Sequence, residues 1–177
     1  MNILKMILIV IVAIIVLVLV VALFVKKEYA IEREITIDRP NQEVYDYVKF
    51  LKNQDHFNVW VMMDKTITKQ FRGTDGTVGF VYAWEGKERA GKGEQEIKAL
   101  HEGKEVDLEI RFEKPFEGIS QTQMIAEPVS GNQTKLIWKM VGASKYPMNI
   151  TNLFTGKLLG GDMEKSLSTL KGIVERE

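Results

Sequence analysis

Residues 154–174 read FTGKLLGGDMEKSLSTLKGIV, and two incompatible structures are written into them. A Gly-Lys step beside a Gly-Gly pair suggests a phosphate-gripping loop. Leu159, Met163, Leu167, Leu170 and Val174, however, recur as one apolar stripe along an α-helix. Spacing decides between them. A nucleotide-binding loop needs a glycine five positions before the Gly of Gly-Lys and a Ser or Thr after the lysine; those positions hold Thr151 and Leu158. The helix therefore stands, beginning near Met148, with Gly156, Gly160 and Gly161 in its first half. Each glycine costs roughly 1 kcal/mol against alanine in a helix interior, which predicts a compensating role. The three are expected to admit close approach to a sheet, or to bend the helix as a lid over a cavity mouth.

Upstream of this helix the pattern has period two. EVDLEIRFE sets Val106, Leu108, Ile110 and Phe112 against Asp107, Glu109, Arg111 and Glu113. Similar runs lie at 67–72, 78–84, 91–100, 119–127 and 134–142, separated by turn-forming stretches such as Gly73-Thr74-Asp75-Gly76 and Pro128-Val129-Ser130-Gly131. Short alternating strands joined by tight turns predict an antiparallel meander. Ahead of it, YAIEREITID (29–38) is one more strand, NQEVYDYVKFLKN (41–53) an amphipathic helix and DHFNVWVMMD (55–64) a second short one. The order is strand, two helices, meander, long helix: an α+β fold in which a curved sheet is covered by the last helix.

The chain resembles the helix-grip superfamily, also called SRPBCC or START-like, and in particular its polyketide cyclase/dehydrase and lipid-transport branch. The matching residues are EREITIDRPNQEVYDYV (32–48), the short helix around Trp60, the strand count and the closing GGDMEKSLSTLKGIVE (160–175). The resemblance spans residues 29–177 and rests on element order and diffuse motifs. It implies a curved antiparallel sheet wrapped around the C-terminal helix, with an apolar cavity between them that holds lipids, polyketides or other hydrophobic ligands. Relatives include enzymes, carriers and co-chaperone-like modules, so fold alone does not select a function.

An N-terminal segment departs from the soluble members. Twenty apolar residues run without interruption from Met6 to Val25, bracketed by Lys5 and Lys26-Lys27. Twenty helical residues span about 30 Å, the hydrocarbon thickness of a bilayer. A signal peptide's apolar region is shorter and ends at a small-residue cleavage site, which is missing here. Residues 1–27 are therefore read as a single-pass membrane anchor and residues 28–177 as the ligand-binding domain. The flanking lysines nearly tie, leaving the side of the membrane undetermined.

Composition narrows the chemistry. The chain carries 24 basic and 24 acidic residues with no basic stripe, which argues against nucleic acid. Cysteine is absent, removing disulfides, thiolate metal sites and a Cys nucleophile. His56 and His101 stand alone without metal-ligand spacing, no serine lies in a GxSxG elbow, and no cofactor is implied. The cavity candidates are the bulky apolar residues: Trp60 and Met63 from the second helix, Phe80, Tyr82 and Trp84, then Leu108, Ile110 and Phe112. Met124, Trp138 and Met140 join them from the last strands, with Phe154 and Met163 from the final helix. Of the alternating Gln121/Gln123 and Thr122/Met124 pairs, one must face inward. The leading expectation is membrane-anchored binding of a hydrophobic small molecule or lipid. The alternatives are a cyclase/dehydrase-like enzyme using Tyr82, Gln121 or Gln123, and a protein-interaction module whose cleft is packed core.

Overall fold

The structure is a computed structural model that describes residues 2–88 and 90–176. Helix α1 (Ile3–Phe24) leads into β1 (Glu28–Ile37), followed by the short helices α2 (Asn41–Val48), α3 (Gln54–Phe57) and α4 (Val59–Met62). The meander comprises β2 (Thr68–Arg72), β3 (Val81–Glu85), β4 (Lys92–His101), β5 (Glu105–Lys114), β6 (Gly118–Ser130) and β7 (Gln133–Ala143). Helix α5 (Asn152–Val174) closes the fold after one 3-10 turn at Met148–Thr151. The seven strands form one antiparallel sheet in the order β1-β7-β6-β5-β4-β3-β2. This is the α+β helix-grip architecture expected from the element order.

Alternation dictates the two faces. Ile31, Ile37, Val106, Leu108, Leu136 and Trp138 are buried on the concave face, and α5 lays Met163, Leu167, Leu170 and Val174 over them. On the convex face Arg111 is held by Glu94, Glu96 and Glu109. The carboxylates of β5 therefore belong to a surface ion network. In β4 the expected alternation Gln95, Ile97, Ala99 breaks at a bulge between Ile97 and Ala99. Leu100 consequently pairs with buried Val106 and packs on the core in place of Ala99.

The helix expected over 41–53 is also interrupted. Phe50 is extended, and a new 3-10 turn starts at Leu51. The Asp75 carboxylate accepts from Leu51 N at 2.8 Å and Lys52 N at 3.1 Å, satisfying the amides that the break exposes.

The antiparallel register gives the sheet two unlike ends. At one end lie the start of β1 and the end of β7, paired through Glu28 and Ala143, with the β3–β4 and β5–β6 turns. At the other end α2 and the following turn fill the space with Val44, Tyr45, Val48 and Leu51, all buried. The core is thus concentrated at the α2 end.

Of the three glycines in the first half of α5, Gly160 has a specific neighbour. A Cβ there would stand 2.2 Å from the Arg33 Nη2 atom, whereas at Gly156 or Gly161 it would meet nothing within 4 Å. Arg33 occupies a concave-face position of β1 and donates to Glu164 Oε1 at 2.5 Å and to the Gly156 carbonyl at 2.9 Å. Gly156→Ala and Gly161→Ala should each raise stability by up to about 1 kcal/mol through helix propensity. Gly160→Ala should gain less, because the Arg33 guanidinium must withdraw from its acceptors. Urea unfolding midpoints of the three variants in detergent micelles check this ranking.

Candidate functional site

Between the concave face, α4 and the first half of α5 lies a cavity of about 250 Å³. Its floor is the middle of the sheet: Tyr82 and Trp84 of β3, Leu108, Ile110 and Phe112 of β5, Thr122 of β6, and Trp138 and Met140 of β7. Trp60, Val61 and Met63 form one side, and Leu159 of α5 forms the roof. The aromatic rings fix one another edge to face, Trp60 on Trp138 at 5.7 Å and Trp84 on Phe112 at 6.1 Å. Helix α4 is pinned to α5 by buried Ser166, whose Oγ accepts from Val59 N at 3.0 Å while donating to the Asp162 carbonyl. The Trp60 indole N–H donates to the Asp162 carboxylate at 3.2 Å.

Nine of the thirteen residues expected at the cavity line it: Trp60, Met63, Tyr82, Trp84, Leu108, Ile110, Phe112, Trp138 and Met140. The other four lie elsewhere. Phe80 precedes β3 and stacks on Phe71 at 6.2 Å toward the closed end of the sheet. Met124 stands two residues beyond Thr122 along β6, and Met163 one helical turn beyond Leu159, so both are buried in the core past the cavity floor. Phe154 is 60 % exposed. Nine residues before Met163 is two and a half turns, which puts Phe154 on the opposite side of α5. Gln121 and Gln123 are on the convex face, donating to Glu109 and to Asp107. The inward pair is Thr122 and Met124.

The polar atoms in the wall fall into two sets. Gln54 and Gln95 exchange side-chain hydrogen bonds at 3.1 and 3.2 Å, and Asn58 donates to Gln54 at 2.9 Å, so this amide cluster is internally satisfied. The Tyr82 hydroxyl donates to Asp55 at 2.6 Å, and Asp55 pairs with Lys69 at 2.9 Å. Burial first, and then the Asp55 carboxylate, push the Tyr82 phenol far above its ordinary range. Tyr29 shares a hydrogen bond with Ser120 at 2.8 Å. Among the described lining residues, two buried side-chain atoms have no protein partner: Thr122 Oγ1 and Trp138 Nε1. Thr122 stands opposite Met140, and Trp138 lies two positions along β7, making them diagonal neighbours on the cavity floor. An indole N–H left without an acceptor costs about 1–3 kcal/mol.

The rim is held by a residue that sequence reasoning passed over. Buried Asp64 accepts from Thr66 Oγ1 at 2.6 Å and Thr66 N at 2.8 Å, and through its other oxygen from Glu88 N and Ala90 N at 3.1 and 3.2 Å. It clasps the α4–β2 link to the β3–β4 turn. The Asp-x-Thr spacing was the visible signal, but its second set of donors lies more than twenty residues away. The Thr66 hydroxyl and these amides hold the Asp64 carboxyl well below the usual carboxylate range. Among the described residues, no group of three or more His, Cys or carboxylate side chains gathers for a metal.

No family model matches the chain, and no curated protein matches it. Solved structures do. A truncated norcoclaurine synthase from Thalictrum flavum aligns with a TM-score of 0.64 at 10 % identity, over 86 % of this chain and 97 % of that one. The Mll3558 protein from Rhizobium loti aligns at 0.63 and 16 % identity, over 82 % and 96 %. Ara h 8.0201 aligns at 0.57 and 14 %, over 85 % and 99 %. These are Bet v1-like, START-like helix-grip proteins, and the present chain has their fold. At such identities the likeness carries the architecture and not the chemistry.

Asp64 supplies a pH test. Its folded pKa is depressed, so its stabilising contribution is present above the ordinary carboxylate value of 3.8 and is lost as pH falls below it. Wild type should therefore unfold at higher denaturant than Asp64→Asn at pH 7, with the gap shrinking below pH 3.8. A gap unchanged by acid, in paired urea titrations, would remove the charge from this account.

Proposed function

We propose that the cavity binds an apolar small molecule or lipid bearing one oxygen acceptor, in a domain (residues 28–177) tethered to a membrane by residues 1–27. The observation that carries the reading is the pair of unpartnered buried donors, Thr122 Oγ1 and Trp138 Nε1, in a largely apolar wall whose amides and tyrosine hydroxyls are engaged with one another or with neighbouring side chains. Apolar surface supplies affinity, while one or two placed donors orient the ligand. The tether is supported by α1, whose 22 residues extend about 33 Å and are exposed along nearly their whole length. A water-soluble helix of that composition would be buried.

The enzymatic alternative, a cyclase/dehydrase-like activity, draws on norcoclaurine synthase sharing this fold. One structure of that enzyme is in complex with dopamine and hydroxybenzaldehyde. Here the titratable lining groups are Tyr29, Tyr82 and Lys114, with no carboxylate among the described lining residues. Both tyrosine hydroxyls are already engaged, by Ser120 and Asp55. Proton transfer needs a group within reach of the substrate, so this arrangement favours holding a ligand over converting it.

Mass spectrometry of ligands that co-purify with the detergent-solubilised chain tests the reading directly; a chain that carries no ligand and binds no fatty-acid probe overturns it. Trp138→Phe and Thr122→Val should each weaken binding of an oxygen-bearing probe such as a fluorescent fatty acid by about tenfold, as expected for a lost buried hydrogen bond. Binding of a plain hydrocarbon fluorophore should change far less.

A further inference from the structure

The end of α1 is not a free swivel. Asn149, itself buried, donates its side-chain N–H groups to the carbonyls of Ala22 and Val25 at 2.6 and 2.7 Å. Asn152 does the same for Lys26 and Lys27 at 3.0 and 2.8 Å. The Ala22 and Val25 carbonyls belong to the last turn and the C-cap of α1, where no intrahelical donor is available, so Asn149 caps the helix, and Asn152 of α5 holds the link that follows it. Tyr146 reaches further, its hydroxyl donating to the Leu19 carbonyl at 3.3 Å. Leu19 is six residues before Val25, or about 9 Å along the axis. With α1 in a bilayer, residues 146–149 lie at the headgroup level, where a tyrosine is at home.

The register then dictates what else lies at that level. The start of β1, the end of β7 and the β5–β6 turn share one end of the sheet. Around it Phe116, Leu153, Phe154 and Leu158 are 62, 59, 60 and 65 % exposed. Four large apolar side chains in water at one end of a domain have no folding rationale. Lys26, Lys27, Lys114, Lys145 and Lys157 stand among them, exposed, and none makes an ion pair among the described residues. Glu28 and Glu117 are exposed at the same end, so lysines outnumber unpaired carboxylates there, and apolar side chains with such an excess of lysine match an anionic phospholipid surface.

The cavity opens at the same end. Lys114 and Pro115, both exposed at that end, belong to its lining. A second cleft of about 480 Å³, lined by Phe116, Met148 and Thr151, shares Tyr29, Phe112 and Pro115 with it. The cavity and the cleft are thus adjoining neighbours, and the cleft reaches the segment that caps α1.

We propose that this end of the domain is a membrane-docking surface that holds the cavity mouth against the bilayer, so that the ligand is a bilayer-resident amphiphile exchanged without passing through water. The inference rests on the reading of α1 as an anchor and of the cavity as a ligand site, and it adds the orientation and the source of the ligand.

The absence of cysteine allows single-site labelling of the full chain. Fluorophores at Val12→Cys in α1, Glu117→Cys and Lys157→Cys at the docking surface, and Gly131→Cys at the opposite end would be read in phosphatidylcholine–phosphatidylglycerol vesicles containing brominated lipid. Quenching at 12, 117 and 157 but not at 131 is expected. Quenching at 12 without 117 and 157 leaves the anchor standing and overturns the docking; no quenching at 12 overturns both. In addition, Phe116→Asp/Phe154→Asp should slow transfer of a dansyl fatty acid from vesicles to the chain by at least about tenfold, because two buried aromatic contacts with lipid are lost. Its affinity for the same probe in micelles should stay at the wild-type value. Transfer at the wild-type rate overturns the proposal, and the labelling result stands however that variant behaves.

Discussion

A curved sheet leaves an apolar concave face that must be covered, and here one helix is the cover. The apolar stripe of α5 packs fully only from Met163 onward, over the end of the sheet that α2 also fills. Before Met163 the helix offers Leu159 and three glycines, too little bulk to fill the space above Trp84, Ile110 and Phe112. The cavity is therefore a consequence of uneven cover. Its volume is set by the change in side-chain size along one helix, and it persists because the aromatic rings across it brace one another.

Polar groups are distributed with the same asymmetry. Outside, Arg111 and three glutamates satisfy one another in solvent, where such pairs contribute little to stability. Inside, the amides of Gln54, Gln95 and Asn58 close on themselves, and Tyr82 is tied to Asp55. Among the described lining residues, Thr122 and Trp138 bring buried polar atoms without a protein partner to the cavity wall. Both side chains sit on the floor of a largely apolar chamber. The exit of α1 is tied to the same domain through Asn149 and Asn152.

Much of this was legible in the chain. The period-two runs, the i, i+4 stripe of α5 and the twenty apolar residues beginning at Met6 each follow from local periodicity, which burial on one face enforces. Nine of the expected cavity residues line it because alternation on β3, β5 and β7 sends every second side chain inward. Phe80, Met124 and Met163 share that facing but lie beyond the cavity along their elements. Depth along an element leaves no mark on periodicity. Phe154 was separable from Met163 by helical phase alone, since nine residues reverse the face.

The sequence by itself determined the order of strands and helices, the buried face of most of them, and that one segment is long and apolar enough to cross a membrane. Those properties depend on neighbours a few positions apart. Only the tertiary structure decided that Thr122 and not Gln121 faces the chamber, that Arg33 fills the space left at Gly160, that Asp64 clasps a turn more than twenty residues away, and that Asn149 caps α1. Each depends on strand register and on contacts between residues distant in the chain, and no local pattern encodes such a distance.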